Sequence, residues 1–469
     1  MELLKSAGHL LLVAGLTLTG MSAAVVAVNL IPNGRLLSHV DFSISPTNFP
    51  PSQFGIGKVD FWDECIAATV GLGNGAEQLS LVKRSFLSPI IGNCEEFQKY
   101  KNGEVWIPYN EMSRESGSPT NQGFNYWRYW HGYQVFSRPL LYCFSLSKLR
   151  YASFALFLVS GAFFASQVSR LSWTCSWSLL IGSLCVPLVS QIEIIDQSMI
   201  WIIAFSIGGW LLLPSTSCAK ERRDPYVSFM LLGMLCSFFD IFTVPLITLT
   251  VPLLGLYWKG QFDADSPKLT VRRICVLSAI WFAGYSGCWA TKWAIVAVVD
   301  GPGVVTELSK IIEHRLGIGG GPLGDAGHNL SVSAGWSILL NAKSCWYGVL
   351  IVTGLSIARI RPLIARIRPW AAATLSNKKA SVSAAASPLL IWGMPIAWLA
   401  VVKQHSIQHS WFVARIYFSS FAIVLGFILT PDSDPKNRQR DHEHSASGVS
   451  GVDAGPHLFE RESLIDTSQ

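Results

Sequence analysis

Runs of apolar residues long enough to cross a membrane recur along this chain, and nothing else in it constrains the fold so tightly. A helix needs about 17–25 predominantly apolar residues to span a hydrocarbon core of ~30 Å. Ten such segments can be read, at roughly 8–31, 151–168, 175–192, 197–215, 226–239, 241–257, 274–298, 335–357, 384–402 and 412–430. Half of the 469 residues are hydrophobic and only 14% are charged, whereas soluble domains carry roughly 25% charge. The chain therefore reads as an all-α, polytopic integral membrane protein with about ten transmembrane helices. The segments 226–239 and 241–257 are short and separated by Asp240. They read either as two spans or as one re-entrant hairpin.

Charge between the segments sets the orientation. The short basic loops "KERR" (220–223), "KLTVRR" (268–273) and "RIRPLIARIRPW" (359–370) fall on one side in this count, which makes that side cytoplasmic and takes both termini with it. The opposite short loops, around 193–197, 240–244 and 403–411, hold almost no Lys or Arg. Segment 8–31 follows Lys5 and ends among Ala23, Ala24 and Ala27, as a signal peptide does. Its apolar run exceeds the usual h-region of about 7–15 residues and no clean Ala-x-Ala closes it, so a retained first helix is the expectation.

Four regions follow: a first transmembrane helix (1–31), an extracytoplasmic loop domain with amphipathic helices (32–150), a transmembrane core (151–430) with an outer loop at 299–334, and a polar, aperiodic cytoplasmic tail (431–469). The net charge of +6 is modest, and no nucleic-acid partner is expected. Ten cysteines are scattered without a C-x-x-C pair or zinc spacing. Cys65 and Cys94 both fall in the first outer loop, on the oxidising side, where a disulfide is an option.

Several motifs carry ionisable groups. In "VDFWDECIAATVGLG" (59–73) a helix would hold Asp60, Asp63 and Glu64 within an arc of about 100°. Clustered carboxylates suit a general base, or a divalent cation such as Mg or Mn; an acidic first helical turn is the plain alternative. "NYWRYWHGYQVFSRPLLY" (125–142) reads as an aromatic helix lying at the headgroup level, with Arg128, His131 and Arg138 facing lipid phosphates or a lipid-linked substrate.

Lys292 lies about a turn and a half from the outer end of its span, placed either to snorkel or to meet an anion in a cavity. Asp240 and Lys343 sit comparably, while Glu193 and Asp196 read as solvated in a tight outer turn. The glycine run 317–324 lacks the Lys of a phosphate loop and reads as a flap, preceded by an amphipathic helix bearing Glu313, His314 and Arg315. In "KQHSIQHSWFVAR" (403–415) a helix would place His405 and His409 on a stripe beside Arg415. The pair lacks a third zinc ligand, so interfacial packing and anion binding are the main readings.

Taken together, "VDFWDECI", "RYWHGYQVFSRPLL", "DIFTVPLITLTVPLL", "GYSGCWATKW" and "KQHSIQHSWFVAR" resemble, in that order, elements of bacterial polytopic membrane proteins related to type C (GT-C) glycosyltransferases. The resemblance covers most of the chain from the first outer loop to the last span. It implies a bacterial cell membrane, an outward-facing active site beneath the large first loop, and transfer of a sugar from a polyprenyl-phosphate donor to a cell-envelope glycan or glycolipid. Asp60 and Glu64 match the acidic positions, and Phe61 and Asp63 depart from the pattern, leaving open which carboxylate is the base. A lipid-linked glycan flippase, or a glycan polymerase or ligase, is the alternative.

Overall fold

The computed structural model describes residues 2–40, 70, 79–90, 124–188, 194–214, 224–240, 243–262, 267–316, 334–359, 364 and 379–430. Apart from one two-residue antiparallel pair, the regular structure there is helical. In chain order the elements are α1 (Glu2–Val28), α2 (Asn33–His39), α3 (Leu81–Leu87), β1 (Pro89–Ile90), β2 (Phe124–Asn125), α4 (Gln134–Cys143), α5 (Leu146–Ser169), α6 (Trp173–Leu184) and α7 (Ile195–Leu212). They continue with α8 (Pro225–Phe239), α9 (Ile247–Trp258), α10 (Pro267–Asp300), α11 (Gly303–Leu316), α12 (Ala334–Ser344), α13 (Trp346–Ala358) and α14 (Lys379–Val401). The last are α15 (Lys403–Gln408), α16 (Ser410–Val413), a 3-10 turn (Ala414–Tyr417) and α17 (Phe418–Leu429).

Among the described residues four helices are long and apolar enough to cross a membrane: α1, α5, α7 and α10; a fifth span follows if α12 and α13, bent by 79°, count as one. Most other apolar segments of the sequence reading form shorter helices; α14 has 23 residues, and its stretch Ser387–Val401 is a shorter apolar one. At 1.5 Å per residue, the 15 residues of α8 and the 12 of α9 extend about 22 and 18 Å, less than the ~30 Å core. Asp240 stands at their divide: its N–H closes the last turn of α8 on the Cys236 carbonyl at 2.8 Å, and its Oδ1 accepts from Thr243 N at 2.8 Å and Thr243 Oγ1 at 2.6 Å. α11 bears out the amphipathic helix expected before the glycine run.

α7 sits at the centre, with 72% of its apolar window buried against 17–33% for the other three long helices. Its neighbours α5 and α9 run parallel to it: Gly161 meets Phe205, Phe164 meets Gly208, and Gly255 meets Leu212. α17 also runs parallel to α7, with Arg415 at Gln197 and Phe418 on Trp201, and α6 packs antiparallel to α17 through Gly182 at Ala422 and Ser178 at Gly426. α8 and α10 are parallel and very close. A Cβ on Gly233 would lie 2.8 Å from the Tyr285 nitrogen, and one on Gly284 would lie 3.2 Å from the Met230 carbonyl carbon, so only glycine permits this approach.

These directions bring functional candidates together. The short link 240–246 joins the end of α8 to the start of α9. The C-terminal ends of α8 and α10 therefore share one end of the bundle with the N-terminal ends of α7, α9 and α17. Lys292 and Arg415 both sit at that end.

Candidate functional site

The segment 126–133 forms a turn-rich strap across this end of the bundle, with a helix starting only at Gln134. Its rings are core residues: Tyr126, Trp127, Tyr129, Trp130 and Tyr133 are all buried. This corrects the expectation of an aromatic helix for 126–133, while the second half of the motif is helical as α4. The reason lies in the partners that the bundle offers. Trp130 donates from Nε1 to the Cys288 carbonyl at 2.9 Å, and its ring stands edge-on to Phe86 (6.2 Å) and against Phe238 (5.6 Å). Gly132 donates its N–H to the Phe238 carbonyl at 2.8 Å, and a Cβ there would lie 2.6 Å from that same oxygen. The strap is thus seated on the end of α8.

His131 adopts a left-handed backbone conformation, with φ 55°, and both ring nitrogens are engaged. Nε2 lies 2.8 Å from the Tyr126 carbonyl and Nδ1 lies 2.7 Å from the Tyr133 hydroxyl. A carbonyl only accepts, so the proton is on Nε2 and Nδ1 accepts from Tyr133. Burial pushes the imidazole pKa down to about 3; the bond to Tyr126 opposes this, and the nearby charges of Lys292 and Arg128 reinforce it.

Lys292 is fully enclosed, which removes snorkelling from the two alternatives open in the sequence. The strap and α3 cover this part of α10, and they supply the partners that a buried ammonium requires. Nζ donates to the Phe86 carbonyl at 2.6 Å and stands 5.3 Å from the Phe86 ring and 5.7 Å from the Trp130 ring. Arg128 is half-buried, its guanidinium 4.9 Å over Tyr126, while its carbonyl accepts from Trp293 Nε1 at 3.2 Å.

Arg138 lies apart from these, at the end of α1. Its Nε donates to Val28 O at 3.1 Å, Nη1 to Val70 O at 3.4 Å, and Nη2 to Ile31 O at 3.1 Å and Asn33 Oδ1 at 2.8 Å. One side chain therefore ties α4 to the end of α1, to α2 and to Val70. Burial, with a smaller effect from Arg84, lowers its pKa to about 10, so it remains charged at neutral pH.

The stretch 403–417 is not one helix. It breaks into α15, α16 and the 3-10 turn, so the histidine stripe does not continue evenly to Arg415. His405 is buried and His409 half-buried, their rings 4.7 Å apart and tilted by 50°. The broken segment is held from below by α12: Asn341 Nδ2 donates to Ser337 O at 2.8 Å and Ser406 O at 3.0 Å. Beside it, the Cys345 thiol meets Ala414 O at 3.5 Å.

Arg415 is completely buried in the 3-10 turn, donating from Nη2 to Gln197 Oε1 at 2.9 Å. Asp196, expected in a solvated turn, is 1% exposed. It lies in the first turn of α7, enclosed where the Arg415 turn reaches the adjacent Gln197.

Among the described residues the cationic sequence candidates fall at three locations at this end of the bundle: Lys292 with His131 and Arg128; Arg415 with Gln197, near the broken segment carrying His405 and His409; and Arg138. Asp60, Asp63 and Glu64 lie outside the described residues, as do Glu193, Cys65, Cys94 and the glycine run 317–324. Among the described residues no three His, Cys, Asp or Glu side chains are grouped to hold a metal, and the acidic trio that would hold a divalent cation falls outside them. Gln197, the partner of Arg415, was missed in the sequence; its signal is the "DQS" interruption of an apolar run at 196–198. No family model matches the chain, and no curated protein or solved structure matches it either.

Proposed function

We propose that the protein is a membrane glycosyltransferase of the type C kind, crossing the cell membrane about ten times with both termini in the cytoplasm. It moves a sugar from a polyprenyl-phosphate donor to a cell-envelope glycan or glycolipid on the outer face. The observation that carries this reading is the fully buried Arg415, held by Gln197 at the start of an apolar helix, beside a broken segment presenting two histidines. A buried guanidinium is expensive in a membrane protein and marks a functional site by default, and its planar fork suits phosphate oxygens.

In this reading Asp60, with Glu64 next and Asp63 third, takes the proton from the acceptor hydroxyl. The acceptor oxygen bonds to the anomeric carbon as the bond from that carbon to the phosphate oxygen breaks, and the electron pair leaves with the phosphate. Arg415, His405 and His409 stabilise that departing charge, which grows toward the transition state. His131, Arg138 and Lys292 act through position, holding the strap, the end of α1 and α3 in place by hydrogen bonds within the protein. Arg128 is the more exposed member and is the one assigned to lipid phosphates or the lipid-linked substrate.

Membrane vesicles supplied with labelled polyprenyl-phosphate sugars test the reading. Asp60→Asn should reduce transfer by ~10²–10⁴, with Glu64→Gln next in severity. Unchanged transfer in both variants would sink it, and lipid movement without a new glycosidic bond would point to a flippase instead.

A further inference from the structure

α4 is strung between three helix ends. Near its start Phe136 stacks on Phe239, the last residue of α8, with ring centroids 5.7 Å apart. Two residues on, Arg138 donates to the carbonyl of Val28, the last residue of α1, at 3.1 Å. His39 of α2 then donates from Nδ1 to the Leu141 carbonyl at 2.7 Å, and the chain enters α5 at Leu146. Ten residues of helix extend about 15 Å. The ends of α8 and α1 and the start of α5 all lie at the same end of the bundle, so α4 runs along that rim instead of through the membrane.

Its two faces differ. Gln134, Ser137, Arg138 and Leu141 are buried against the bundle. Phe136, Pro139 and Cys143 are exposed at i, i+3 and i+7, one stripe of a helix, with Phe144 beside them. The flanking spans say what covers this stripe. Only 17% of the apolar window of α1 and 33% of that of α5 is buried within the protein, so both turn most of their surface to lipid, and α4 bridges them. Cations frame the stripe. Arg35 is exposed, its guanidinium 4.7 Å from the Tyr142 ring, and Lys148 is exposed with Nζ 5.9 Å from the Phe144 ring. No Asp or Glu occurs in 3–40 or 116–192, so α2, α4 and α5 bring no carboxylate to oppose an anionic surface. An apolar stripe edged by cations is the pattern of a helix lying in a lipid interface.

We propose that α4 is an interfacial helix seated in the leaflet at this end of the bundle. Phe136, Pro139, Cys143 and Phe144 lie among acyl chains, and Arg35 and Lys148 meet the headgroups of anionic phospholipids. The strap 126–133 runs directly into α4, so the same seat fixes the strap's far end. The surface does not depend on the sugar-transfer reading and stands if no transfer is found.

The test is photo-crosslinking of the full chain in nanodiscs of equal phosphatidylglycerol and phosphatidylcholine, with adducts read by mass spectrometry. p-Benzoylphenylalanine replaces Phe136 in one protein and Ser137, on the buried face, in another; Phe144 serves if the first does not fold. The probe at Phe136 should join lipid, phosphatidylglycerol in preference, and the probe at Ser137 should join the protein itself. Arg35→Gln combined with Lys148→Gln should lower the phosphatidylglycerol preference by roughly fivefold or more without lowering total lipid capture. No lipid adduct at Phe136, or equal lipid capture at the two positions, overturns the proposal. Adducts from Phe136 to the first outer loop or to a second copy of the chain assign the stripe to those partners and overturn it too. Equal capture of both phospholipids by the protein with Arg35 and Lys148 intact overturns the anionic headgroup contact.

Discussion

Arg138 shows how a cation in an apolar setting becomes a structural tie. Its three nitrogens meet four acceptors, from Val28, Ile31, Asn33 and Val70. A lysine keeps the charge but cannot reproduce the fork. Arg138→Lys should lower stability by ~2–4 kcal/mol, measured by thermal unfolding in detergent; an unchanged melting temperature would refute the tie. His131 gives a pH signature. Its imidazole is held to a pKa of about 3, while the unfolded chain titrates near ~6.5. Below that value the unfolded state binds a proton that the folded state refuses, so stability is constant above ~6.5 and falls as pH drops toward 3. From pH ~6.5 to ~5 the loss is about 2 kcal/mol. His131→Gln should remove this slope while lowering stability at neutral pH, and an equal slope in both proteins would contradict the assignment. The burial of these groups was not legible in the sequence. "RYWHGY" has the composition of a headgroup belt, and only the carbonyls of Cys288 and Phe238, from elsewhere in the chain, turn it inward.

Helix positions were the most legible feature, because apolar length is a local property. The long runs became α1, α5, α7 and α10, and Asp240 was visible as a break. Which helices touch was not legible, since that depends on small residues without a fixed sequence spacing. Gly233 and Gly284 set the contact between α8 and α10. Gly233→Ala places a methyl against the backbone of Trp281 and Tyr285 and should cost ~1–3 kcal/mol. Gly287→Ala, on the same helix α10 as Gly284, meets nothing within 4 Å. It should be neutral or stabilising by up to ~1 kcal/mol, so similar melting temperatures for the two variants would disprove the packing. The stretch 403–417 misled at this scale for a related reason. Its helical periodicity is real, but Asn341 and Cys345 bond to Ser406 and Ala414 and fix a segment that breaks before α17.

At the scale of the whole molecule, parallel packing of α7, α9 and α17, with α8 and α10 parallel to one another, collects the buried cations at one end. The sequence supports that end as the outer one through its basic loops. A cysteine placed at Ser445 should therefore react with an impermeant thiol reagent only after cells are broken, and labelling of intact cells would reverse the orientation. Burying Arg415 and Lys292 is costly, and at Arg415 the proposed return is recognition of a lipid-linked phosphate. The most direct test is native mass spectrometry of the protein extracted from its own membranes, wild type beside Arg415→Lys. A polyprenyl-phosphate sugar should be bound to wild type and be roughly tenfold or more depleted in the variant. Retention of the same lipid by both proteins, or its absence from wild type, would contradict it.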